Sequence, residues 1–116
     1  MQRKMRFMTN LLKAGEVFVC SFPFTSGQFS KTRPVLVLFD FGADVLICRI
    51  TSKNYSTPFD VIVNDWQRAG LLKPSVVRLN RLVTMEKNLL QQRIGKPTTS
   101  DFAVVKSTWN KHMRLC

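Results

Sequence analysis

Few side chains in this sequence can do chemistry, and several familiar catalytic sets are missing. The one histidine is His112, which borders an apolar stripe near the end of the chain, so a histidine-based triad would have to recruit it from there. Cys20, Cys48 and Cys116 have no metal-ligand spacing, which argues against a zinc site. The seven acids are scattered, and no glycine-rich phosphate loop is present. What remains is arginine and hydroxyl. Arg33 stands against Pro34 at the head of an apolar run, Val35-Leu36-Val37-Leu38, and Thr51 follows a second apolar run that ends at Ile50. One reaction asks little more than that. RNA carries its own nucleophile, the 2′-hydroxyl, beside each phosphodiester. A protein need only align that hydroxyl and stabilise the charge on the phosphorane. A guanidinium fork suits phosphate oxygens, and a threonine hydroxyl can donate to the same atoms.

These two residues depend on the strands that hold them. Pro34 has a fixed φ and no N–H, so it belongs at the first position of a strand. Residues 34–40 then read as a strand apolar on both sides, which suits one covered on both faces. The turn at Phe41-Gly42-Ala43 leads into a third strand over 44–50, making a hairpin. Period-two alternation puts Leu46, Cys48 and Ile50 on one face and Val45, Ile47, Arg49 and Thr51 on the other. With the first set in the core, Arg49 and Thr51 emerge together. Lys31, Ser52, Lys53 and Arg78 are further candidate phosphate contacts, as is Arg49.

The rest of the chain completes a small β domain. Residues 16–22 form the first strand and 58–63 the fourth. Asn64-Asp65 caps a short helix over 66–69, which Gly70 ends. Residues 75–80 are a fifth strand, which 81–84 extend or follow with another. Residues 85–90 make one helical turn and 91–95 a weak strand. The last element is a helix, capped at Thr98, Thr99 or Ser100. It carries Phe102, Val105, Trp109 and Met113 as its apolar stripe. Five or more short strands and one terminal helix describe a curled barrel, mainly β, that closes on itself.

The 116 residues fit one domain over 14–116, preceded by a basic arm over 1–13 that holds Arg3, Lys4, Arg6 and Lys13 and no acid. With 18 Lys and Arg against 7 Asp and Glu, the net charge of +11 points to a polyanionic partner. Cys20 and Cys48 sit in apolar runs as core thiols, which fits a reducing, cytoplasmic setting. No apolar run reaches the ~18–20 residues of a membrane span.

The order of motifs resembles the PemK/MazF family. Gly15-Glu16-Val17, Phe22-Pro23-Phe24, Lys31 to Leu38, Ile50-Thr51-Ser52 and Pro58-Phe59-Asp60-Val61 carry the resemblance. Asp65-Trp66, Ala69 to Arg78 and Arg93-Ile94-Gly95 continue it, over roughly residues 14–113. The resemblance implies an SH3-like barrel of five to seven strands with a C-terminal helix, forming a homodimer. It implies a toxin of a type II toxin–antitoxin pair: an endoribonuclease that cuts single-stranded RNA with no metal or other cofactor. An acidic antitoxin would neutralise it. It places the catalytic arginine at Arg33 and the catalytic threonine at Thr51. The sequence departs from those members that use a histidine between the first two strands, since residues 23–32 hold none. The alternative is a non-catalytic toxin or binding barrel, since the same fold hosts inhibitors of DNA gyrase.

Overall fold

The computed structural model describes residues 12–21 and 32–115. Most of the basic arm, Lys31 and most of the loop before β2 therefore lie outside the described residues. The elements run β1 (Val17–Cys20), β2 (Arg33–Asp40), β3 (Asp44–Thr51), β4 (Asp60–Val63), β5 (Ser75–Glu86), a 3₁₀ turn (Lys87–Leu89), β6 (Gln92–Gly95) and α1 (Thr99–His112). The strands form one antiparallel sheet in the order β4-β5-β3-β2-β1-β6.

The hairpin of β2 and β3 is the centre of the sheet, as its two apolar runs require. Both of its faces are covered. Leu36, Cys48 and Ile50 pack with Val77, Leu79 and Val105 on the helix side, against Phe102 and Trp109 of α1. Val35, Val37, Val45 and Ile47 pack with Cys20 and Met85 on the other. Each Val, Leu or Ile so buried contributes roughly 1.5–3 kcal/mol. Arg33 begins β2 and Thr51 ends β3, so both stand at the end of the hairpin away from its turn.

Two expectations need correction, and a third point left open is settled. The expected self-closing barrel is an open, curled sheet, with β4 and β6 at its ends. Its gap is bridged by backbone contact. The chain after β4 presses on β6 so tightly that a side chain at Gly70 would run into the Ile94 carbonyl, and one at Gly95 into the Ala69 carbonyl. The short helix expected over 66–69 is instead a tight turn. The Leu71 N–H reaches the Trp66 carbonyl at 3.0 Å, and Gly70 turns the chain at φ +86°. Of the two readings left open for residues 81–84, extension of the fifth strand is the one found. β5 is one 12-residue strand whose pairing with β3 slips between Leu82 and Arg78, so that Leu79, Asn80 and Arg81 bulge and bend it.

Helix α1 begins as its sequence directs. The Thr98 hydroxyl accepts from the Asp101 N–H at 3.2 Å. The buried Asp101 carboxylate also accepts from the N–H groups of Asn64 (3.2 Å) and Asp65 (2.9 Å). This ties the helix start to the turn that bridges the sheet. Among the described residues, no helix is long and apolar enough to cross a membrane.

Candidate active site

Arg33 and Thr51 arrive from neighbouring strands. β1 pairs Cys20 with Arg33, and β5 pairs Val76 with Thr51. The β2–β3 register sets Val35 across from Arg49 and Leu36 across from Cys48. Arg33 lies two residues before Val35 and Thr51 two residues after Arg49, so both come to the same end of the hairpin. Both side chains line one cleft of about 310 Å³, with Thr32, Ser52, Lys73 and Ser75 around it and Ile50, Leu71 and Ile94 as its apolar wall.

Local bonds fix the donors. The Thr51 hydroxyl oxygen accepts from the Lys53 N–H at 3.2 Å, which leaves its own hydrogen to donate. The Ser75 hydroxyl donates to the Lys73 carbonyl at 2.8 Å, which sets the ridge that carries Lys73. Among the described residues, no acid lines the cleft and no ion pair engages Arg33, Lys53 or Lys73. The positive charge there is available to an anion.

The other expected contacts are placed differently. Ser52 is in the cleft, and Lys53 is exposed beside Thr51. Arg49 is half-buried and does not line the cleft. Arg78, 6% exposed, is held in a structural pair instead of facing the cleft. Its Nε lies 2.9 Å from Asp60 Oδ1, and its guanidinium stacks 3.5 Å from the centre of the Tyr55 ring. Asp60 also accepts from the N–H and hydroxyl of Thr57, at 2.9 and 2.7 Å. Burial alone would raise the Asp60 pKa. Arg78 and the two Thr57 donors outweigh that and hold it below the ordinary carboxylate value. This cluster ties down the segment that joins Thr51 to β4.

Sequence reasoning missed Lys73 as a cleft residue. The signal was present: Lys73 precedes Pro74 at the head of β5, as Arg33 precedes Pro34 at the head of β2. In both cases the proline orders the chain just where the cation stands. Cys20, beside Arg33, is pushed up to about 11 by burial, so it stays a thiol at neutral pH. His112 packs edge-on against Phe59, 5.6 Å between ring centres, and does not line the cleft.

A second hollow lies at the far end of the hairpin. It measures about 480 Å³ and is walled by Leu38, Phe39, Phe41, Leu46, Phe102 and Trp109. It contains no residue of the cleft and little polar chemistry beyond Lys106 and Asn110.

A family model described as PemK-like, MazF-like toxin of type II toxin–antitoxin system matches residues 13–113. Among solved structures, an endoribonuclease from a Mycobacterial species in complex with its cognate antitoxin superposes with a TM-score of 0.72. It is 18% identical over 90% of this chain and 97% of that one. The Mycobacterium tuberculosis toxin MazF-mt6 gives 0.70 at 22% identity, over 87% and 98% of the two chains. The MazE-MazF structure from Deinococcus radiodurans (Form-II) gives 0.69 at 17%, over 91% and 98%. At these identities the likeness is one of fold. No curated protein matches the chain.

Proposed function

The chain belongs to the PemK-like, MazF-like toxins of type II toxin–antitoxin systems, and from that premise we propose that it is an endoribonuclease that cuts single-stranded RNA in the cytoplasm. The observation that carries this reading is the meeting of Arg33 and Thr51 in one cleft that no acid lines among the described residues. In the proposed reaction the 2′-oxygen attacks the adjacent phosphorus and the P–O5′ bond breaks. The 2′ proton is lost and the departing 5′-oxygen gains one. The products are a 2′,3′-cyclic phosphate and a 5′-hydroxyl. Arg33 and the Thr51 hydroxyl donate to the non-bridging oxygens, where negative charge builds. Ser52, Lys53 and Lys73 hold the flanking backbone. The RNA supplies the nucleophile and these side chains supply the charge, so the scheme uses no metal or cofactor. The active species is a homodimer, and an acidic antitoxin inhibits it by competing for the same positive surface.

Labelled single-stranded RNA incubated with the purified protein in EDTA tests the reading. Fragments ending in a cyclic phosphate are expected, and a single 2′-deoxy sugar at the cut site should abolish that cut. A binding barrel without catalytic activity would retain RNA and release no fragment. Cleavage left unchanged by Arg33→Ala would overturn the site.

A further inference from the structure

The cleft continues past Thr51. A second basin of about 430 Å³ adjoins it, and the two share Ser52, Lys73 and Ser75. Asn54, Ile62, Pro74 and Val76 are among the other walls of the second basin. The Arg33 guanidinium and the Thr51 hydroxyl belong to the cleft alone, beside its apolar wall. The second basin adds Ile62, Pro74 and Val76 as apolar walls and the Asn54 amide, beside the shared Ser52, Lys73 and Ser75. Ile62 is 65% exposed there, although it lies within a four-residue strand whose neighbours Val61 and Val63 are buried. Asn54 is exposed, and among the described residues no hydrogen bond occupies its amide. The ridge between the basins carries the Lys73 ammonium. Its backbone is fixed by Pro74 and by the Ser75 hydroxyl on the Lys73 carbonyl.

This sequence of surfaces matches a nucleotide chain: a cation for the linking phosphate, an apolar shelf for a base, and a donor–acceptor pair for the base edge. Both volumes fall in the usual range for small-molecule sites, about 300–1,000 Å³. Single-stranded RNA is read in this way, through splayed bases and their exposed edges. We propose that the second basin is the subsite for the nucleotide next to the one cut. Lys73 contacts the phosphate joining the two, Ile62 and Pro74 lie under the base, and Asn54 sets the sequence preference at that position. Cleavage beside this subsite rests on the ribonuclease reading above; the binding of the neighbouring nucleotide does not.

Two arms test it. In the first, a random-sequence RNA pool is digested and the fragment ends are sequenced. Wild type should prefer one base by about tenfold at one position beside the cut. Asn54→Ala should flatten that position alone. Asn54→Asp replaces the amide donor with an acceptor. It should move the preference toward guanine, whose Watson–Crick edge offers two adjacent donors. Lys73→Ala should weaken cleavage of all sequences alike. In the second arm, the same pool is made with 2′-O-methyl sugars, which cannot be cut, and the retained fraction is sequenced. The same Asn54-dependent enrichment is expected. If wild type leaves RNA intact in the first arm, the ribonuclease reading fails, and the second arm still decides the subsite. Profiles identical between wild type and both Asn54 variants in the retained pool would overturn the proposal. A change of preferred base in Asn54→Asp cannot come from lost folding, which would only lower retention.

Discussion

The two ends of the central hairpin are built from the same parts and put to different use. Each end has a buried carboxylate paired with a cation: Asp60 with Arg78 near the end of β3, and Asp40 with Lys87 (2.7 Å) at the β2–β3 turn. Each has a glycine at positive φ, Gly70 at one end and Gly42 at the other. At the turn end, Asp40 also accepts from the N–H groups of Leu12 (2.6 Å) and Gly42 (2.7 Å). What that end shows to solvent is apolar, with Phe39 and Phe41 both 57% exposed. At the cleft end the pair sits behind the loop, and Arg33, Thr51 and Lys73 are left facing an opening. A buried pair is therefore not a mark of a site. The mark is a set of donors that the fold positions without satisfying.

The largest effects should come from breaking either pair. Removing one partner of a buried ion pair strands the other charge and costs about 3–5 kcal/mol. Asp40→Ala and Asp60→Ala should both lower the urea midpoint by amounts in that range. They should separate in function. Measured well below its own unfolding transition, Asp40→Ala should cut RNA at nearly the wild-type rate. Asp60→Ala should lose rate as well, because Asp60 orders the segment leading from Thr51. Equal loss of rate in the two would erase the distinction between the ends.

Arg33→Ala comes next and reverses the pattern. Loss of one preorganised donor to a developing oxyanion costs about 10²–10³ in rate. The folded protein should lose much less than in the ion-pair variants, since Arg33 is half-buried and no ion pair holds it among the described residues. Thr51→Val should slow cleavage as Arg33→Ala does, while Thr51→Ser should keep most of it, because the serine hydroxyl can still donate. Single-turnover rates set beside urea melts would check all three.

How much of this was legible in the sequence follows from where the information lies. The placement of Arg33 at the start of one strand and Thr51 at the end of the next could be read, because a proline marks the first and the end of an apolar run marks the second. The helix cap and stripe were equally local. Arg78 could not be read. Its neighbours Ser75, Val76 and Val77 say only that it lies in a strand, and the partner that claims it, Asp60, is 18 residues away. The length of β5 stayed open for a similar reason, since its bulge at Leu79, Asn80 and Arg81 resembles a strand end until β3 is seen beside it. The bridge between the turn at Gly70 and β6 is a contact between backbones, and side-chain pattern says nothing of that.

Acid should soften both ends. Burial pushes the Asp40 carboxyl up, but Lys87 and the N–H groups of Leu12 and Gly42 outweigh it, leaving it below the ordinary value, as is Asp60. The unfolded chain therefore takes up protons at these two groups before the native state does. Their contribution to stability is complete above the unfolded carboxylate pKa of about 3.9 and is lost as pH falls through the native values. Urea midpoints should hold steady down to about pH 5 and then decline. Asp40→Asn and Asp60→Asn should each flatten part of that decline. A slope unchanged by either would place the acid sensitivity elsewhere.

The smallest effect separates the ends most cleanly. Gly42 sits at φ +106° in the hairpin turn, and a side chain built there meets nothing within 4 Å. Gly42→Ala therefore carries only the backbone penalty of an L-residue at positive φ, about 1–2 kcal/mol. The cut rate should be untouched, since the turn lies at the opposite end of both strands from Arg33 and Thr51. Gly70→Ala carries the same penalty and a collision with the Ile94 carbonyl besides. Gly70 also lines the cleft, so that substitution should pry the bridging turn from β6 and cost rate and stability together. A Gly42→Ala protein that melts early and cuts normally, beside a Gly70→Ala protein that melts earlier still and cuts slowly, would show that the strain matters to chemistry only where it holds the cleft shut at its back.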